Sequence, residues 1–124
     1  MPVYDFNTLQ SEHLTDQYRR KMVQGENLSI ARLEAARGST TRTHKHRHEE
    51  VIILLKGSWR FRLPTGDVTL QPNQMLTIPS GTEHSSEVLE DVVAIDVCSP
   101  AREDLIYGED RGLRYDPDQS LWGV

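Results

Sequence analysis

The 124-residue chain, 36% apolar, is sized for one compact domain around one hydrophobic core, read as a single unit over residues 1–124. Its longest apolar run, Val51 to Leu55, is far below the roughly 20 residues of a membrane span. The first ten residues have no basic stretch leading into an apolar one, so neither a membrane protein nor an exported one is expected. A net charge of -5 excludes nucleic acid as the main partner, and Cys98, the single cysteine, excludes an internal disulfide and a cysteine-based zinc site and points to the cytoplasm.

In chain order, residues 8–23 read as a short helix or an edge strand, with Arg19-Arg20-Lys21 as a solvated edge. From 28 to 97, short apolar or alternating runs are punctuated about every ten residues by turn chemistry, the pattern of an all-β sandwich or barrel. Strands are expected over 28–35, 41–46, 50–56, 59–63, 68–70, 75–78, 84–88 and 92–97. Turns between them are expected at Gly38, Gly57-Ser58, Pro64 to Asp67, Gln71-Pro72-Asn73, Pro79-Ser80-Gly81 and Glu90-Asp91. In Trp59-Arg60-Phe61-Arg62-Leu63, alternation buries the apolar side chains and sends both arginines outward. Residues 103–124 read as a charged, irregular tail, whose Leu121 and Trp122 would dock on a barrel mouth, a neighbouring subunit or the outer sheet.

The densest chemistry lies between Thr43 and Glu50, where three imidazoles and two carboxylates fall within eight positions. Histidine at this density is rarely structural, with a solvated charged turn as the plainer alternative. On a strand, His44 and His46 point to one face and can share a metal. A continuous strand would put position 50 roughly 20 Å from His44 at about 3.3 Å per residue. The chain therefore turns near Arg47 to Glu49, and Glu50 enters the next strand as an oxygen ligand. His84, just past Pro79-Ser80-Gly81, is placed where an antiparallel neighbour returns it to the pair.

Gly38, His44, His46, Glu50 and Gly57 meet every spacing of the first cupin motif, and Asn73, Pro79, Gly81, His84 and Val88 follow the second, with Asn73 for a glycine and Val88 for an asparagine. The chain thus resembles the cupin superfamily over about 28–97. The resemblance implies a double-stranded β-helix, or jelly roll, with a divalent metal held by His44, His46, Glu50 and His84. That donor set suits iron, manganese, nickel, cobalt or zinc. His48 reads as a pocket-rim or supporting residue rather than a fifth ligand.

The stretch from Ile95 to Asp104 is similar to a segment of small pectin-degradation cupins of the KdgF type, which linearise unsaturated monouronates. That similarity implies Asp96 as the proton-transfer residue and Arg102 as the partner of a substrate carboxylate, with a surface salt bridge as the plainer reading of the pair. Cys98 stands where that family has an aromatic residue, and Glu50 where it has a glutamine one position further on. The leading expectation is a metal-dependent lyase or isomerase acting on a sugar acid or related carbonyl compound. The alternatives are an iron-dependent dioxygenase, a zinc polyketide cyclase and a small-ligand-binding module without catalysis. Cys98, with no basic neighbour in sequence, reads as a packing residue. A homodimer is expected, with the N-terminal segment as the exchanged strand.

Overall fold

The computed structural model describes residues 1–102, and every regular element among them is a strand. In order these are β1 (Glu12–Thr15), β2 (Tyr18–Gln24), β3 (Ser29–Ala35), β4 (Thr40–His44), β5 (Glu49–Leu63), β6 (Gly66–Leu70), β7 (Met75–Ile78) and β8 (His84–Ser99). No helix among the described residues is long and apolar enough to cross a membrane. The all-β expectation therefore holds, while the readings made of 103–124 fall outside the described residues.

All strand pairs are antiparallel, and β5 and β8 organise them. Each of these two long strands contributes to two layers. The first half of β5 pairs with β7 and with the second half of β8, which β3, β2 and β1 extend in turn. The second half of β5 pairs with β6 and with the first half of β8, whose other edge carries β4. Two faces of one continuous sheet thus close on each other as a jelly roll. Its core holds Leu33, Leu54, Ala94, Trp59, Phe61 and Val88, with the Trp59 and Phe61 rings 4.7 Å apart. Each large apolar side chain removed from water here contributes roughly 1.5–3 kcal/mol.

Residues 8–23 take the strand alternative rather than the helix: β1 and β2 make a hairpin that pairs with β3, with β1 at the edge of the sheet. Another sequence expectation changes. The breaks expected at Gly57-Ser58 and Glu90-Asp91 are bends inside β5 and β8, so four predicted strands become two. Glu50, Ile52 and Leu54 face inward before the bend and Trp59 and Phe61 after it, so the inward set changes from even to odd positions. Register shifts between Leu54 and Trp59 make that change. Gly57 permits it, with φ +93° and Asp91 O only 2.1 Å from where a Cβ would stand.

On the inner face the register aligns three rows. One runs Glu12, Arg20, Leu33, Ala94, Leu54; the next Met22, Ala31, Asp96, Ile52, Leu76; the third Gln24, Ser29, Cys98, Glu50, Ile78. Arg60 is half-buried and Arg62 exposed, outside this face, as the alternation predicts.

Candidate metal centre

His44 closes β4 directly opposite His84, the first residue of β8, and their rings lie 4.2 Å apart. A register shift between Thr41 and His44 turns both of these residues toward one interior cavity. The strand was expected to continue to His46, with both histidines on its face. It ends at His44, and His46 arrives from the bend beyond. That bend is tied to the Pro79-Ser80-Gly81 turn: Gly81 N donates to His46 O at 2.8 Å and Ser80 Oγ to Arg47 O at 2.6 Å. The turn that launches His84 thus also fixes His46. The chain reverses at 47–48, and Glu50 enters on β5 opposite Cys98 and Ile78, as the spacing argument required.

Each imidazole is oriented by a main-chain carbonyl. His44 Nδ1 lies 2.7 Å from Arg42 O, His46 Nδ1 3.0 Å from His48 O, and His84 Nδ1 2.9 Å from Thr82 O. A carbonyl only accepts, so each Nδ1 carries the proton and each Nε2 is left to face the interior. The Nε2 atoms of His84 and His46 stand 3.3 and 3.6 Å from Glu50 Oε1. His44, His46 and His84 each offer a ligand atom within 4.8 Å of the others.

His46 Nε2 is buried without a hydrogen-bond partner, a state that costs about 1–3 kcal/mol and that a bound cation removes. Burial pushes the His44 pKa down to about 4, which keeps its lone pair available at neutral pH. Burial alone would raise the Glu50 carboxyl, but the His46 and His84 imidazoles and Asp96 hold it well below the usual range. Burial opposes protonation of His84, yet contact with Glu50 outweighs it and raises the pKa. Three nitrogens around one carboxylate suit a divalent transition metal. His48 is buried and supports His46 through its main-chain oxygen, a placement deeper than a pocket rim.

Asp96 and Arg102 are 5% and 1% exposed, which sets aside the surface-salt-bridge reading. Asp96 Oδ1 is buried without a hydrogen-bond partner. Burial, then the charge of Glu50, raises the Asp96 carboxyl well above its ordinary value, against the pull of Arg102 and Arg20. Arg102 is strapped to the β2–β3 end: its N–H donates to Ser29 Oγ at 3.3 Å, and its carbonyl accepts from Gln24 Nε2 at 3.4 Å. Cys98 is buried, and burial followed by the Asp96 and Glu50 charges raises its thiol, consistent with packing rather than nucleophilic use.

Arg20 corrects the reading of a solvated basic edge. It is 0% exposed, on the inner face between Tyr18 and Met22. The missed signal was parity: Tyr18, Arg20 and Met22 share one face of a strand, and two of the three are apolar. Arg19, of opposite parity, does point outward to Glu34.

A family model described as "Cupin domain" matches residues 31–98. The fold is similar to that of KdgF from Halomonas sp., with a TM-score of 0.78 and 22% identity over 84% of this chain and 99% of that one. It is similar to an RmlC-like cupin from Shewanella frigidimarina, with a TM-score of 0.77 and 21% identity over 82% and 93% of the two chains. Oxalate decarboxylase from Bacillus subtilis matches with a TM-score of 0.70 and 19% identity, over 78% of this chain and 29% of that one. At these identities the likeness is one of fold. No curated protein matches in sequence.

Proposed function

Because the chain belongs to the cupin-domain family, we propose that it is a metal-dependent enzyme with lyase- or isomerase-type chemistry on a small sugar acid such as an unsaturated uronate. One observation carries this reading: His44, His46 and His84 cluster with their ligand atoms within 4.8 Å of one another, His46 and His84 meet the Glu50 carboxylate, and Asp96 and Arg102 are buried close by. His44, His46, Glu50 and His84 hold the metal, one of iron, manganese, nickel, cobalt or zinc. When bound, that ion polarises a carbonyl or hydroxyl oxygen of the substrate.

Arg102 pairs with the substrate carboxylate, a planar match suited to guanidinium. Its backbone ties to Ser29 and Gln24 fix where that carboxylate sits. Asp96 moves the proton through Oδ1, the oxygen without a hydrogen-bond partner. Its raised pKa suits a group that must hold a proton and pass it on. Trp59 and Phe61 fill the barrel behind the ligands, where only about 10 Å³ remains open, and so exclude water from that side.

Elemental analysis of tag-free protein, followed by loss of the unsaturated-uronate chromophore, tests the proposal. About one ion per chain is expected, with turnover that Asp96→Asn removes while sparing the metal. No metal after reconstitution, or full activity in Asp96→Asn, refutes it. Oxygen consumption by the iron-loaded protein would assign a dioxygenase instead.

A further inference from the structure

We infer that Trp59, with the hydroxyl pair of Thr41 and Ser86, holds one buried water molecule behind the metal ligands, and that through this water Trp59 positions the Glu50 carboxylate. The water site stands on its own geometry, while the positioning role rests on the reading of Glu50 as a metal ligand. Strand register brings the three side chains together. Thr41 on β4 is opposite Ser86 on β8, Ser86 is opposite Phe61 on β5, and Trp59 lies two residues from Phe61 on the same inner face. All three line one cavity with His44, Glu50 and His84.

The cavity is rich in donors. An indole N–H only donates, and a buried one normally meets an acceptor. Trp59 is 1% exposed, and its Nε1 has no hydrogen-bond partner within the protein. Thr41 Oγ1 and Ser86 Oγ, both buried, lie 2.9 Å apart. One hydroxyl proton serves that bond, and the other is left for a further acceptor. The room left for the centre of a water molecule is about 10 Å³, close to the roughly 10–15 Å³ that a single water requires. The packing of Trp59 and Phe61 that shuts out bulk water therefore leaves a place for one molecule. That water accepts from the indole and from the spare hydroxyl proton and donates to Glu50, the usual complement of about three hydrogen bonds for a buried water.

Glu50 Oε1 already meets the His84 and His46 imidazoles at 3.3 and 3.6 Å. The water adds a donor from the Trp59 side and limits rotation of the carboxylate, whose orientation decides which oxygen meets a metal. Trp59 acts through the water and Glu50, so it is a positioning residue. A high-resolution crystal structure of the zinc-loaded protein tests the site. One oxygen is expected within about 3.2 Å of Trp59 Nε1 and of the Thr41 or Ser86 hydroxyl. Zinc bound with no such oxygen overturns this inference alone.

Thr41→Val and Thr41→Ser test the positioning role, since valine keeps the size and removes the hydroxyl, while serine keeps the hydroxyl. Zinc affinity is read by competition with a chromophoric chelator. The Trp59 indole N–H is followed by proton–nitrogen correlation, as the indole signal that Trp122→Phe leaves in place. Thr41→Val should bind zinc roughly 10-fold more weakly and move the indole resonance upfield, and Thr41→Ser should stay near the wild type in both. A Thr41→Val protein with a lower melting temperature but unchanged zinc affinity and indole resonance overturns the positioning role. This pair decides even if Trp59→Phe, which should weaken zinc binding likewise, fails to fold. A water at Trp59 in protein that takes up no zinc upholds the site and overturns the positioning role and the functional reading with it.

Discussion

Gly57→Ala should be among the most damaging single-methyl changes in this protein. The new Cβ would stand 2.1 Å from Asp91 O, 2.8 Å from Asp91 C and 2.9 Å from Glu90 O. All three are backbone atoms, so no rotamer relieves the clash. β5 and β8 would have to separate by about 1 Å at their shared bend, an overpacking cost of about 1–3 kcal/mol. The φ of +93° adds roughly 1–3 kcal/mol of strain for any residue with a side chain. Together these come to about 4 kcal/mol, a large part of the 5–15 kcal/mol typical of a folded domain.

Gly81→Ala isolates the close approach. Its φ of +75° carries left-handed strain, but nothing lies within 4 Å of its Cβ position. It should cost only about 1 kcal/mol. Urea unfolding followed by circular dichroism gives both values. A Gly57→Ala protein no less stable than Gly81→Ala would refute the claim that the β5–β8 bend depends on backbone contact. The site depends on the same bend, since β5 carries Glu50 and β8 carries both His84 and Asp96.

Three further outcomes are expected. His84→Ala removes one imidazole of the ligand set and the partner of Glu50, so dialysed protein should retain less than about a tenth of the wild-type metal; full retention in elemental analysis would dismiss the proposed set. Glu34 bonds Arg32 and then Arg19, which lower its carboxyl below 4.5. Its stabilisation is therefore complete above the unfolded value and fades as pH falls through the folded one. Glu34→Gln should lose up to about 1 kcal/mol at neutral pH, since Arg19 is half exposed, and progressively less as pH falls through the folded value; denaturation midpoints followed from neutral into acid pH check this, and a deficit that does not shrink contradicts it. Cys98, buried with a raised thiol, should react with an aromatic disulfide reagent at least about a hundred times more slowly in native than in unfolded protein. Equal rates would show the thiol to be accessible.

Much of this protein was legible in one dimension because its determinants are local. Alternation has period two in any strand, so the buried faces of residues 29–35 and 59–61 followed from the order of residues alone. The step from His44 to Glu50 required a reversal on length alone, and the chain reverses there. The division of long strands was misread because glycine marks a bulge as readily as a turn, and only pairing with Asp91 distinguishes the two. The extent of β4 was misread for a similar reason: His46 is fixed by the distant Ser80-Gly81 turn, which no local pattern reveals.

Composition and spacing determined the fold class, the candidate ligands and the cysteine's packing role, each of which depends on side-chain chemistry or strand period. Only tertiary structure decided that Arg20 is inside, that Arg102 is strapped beside Cys98 and Asp96, and that three carbonyls orient three clustered imidazoles, two of which bring their Nε2 atoms to one carboxylate. Those facts depend on which strands become neighbours and in what register. Register is a long-range property, because one residue of slip would turn every side chain of a strand to its other face.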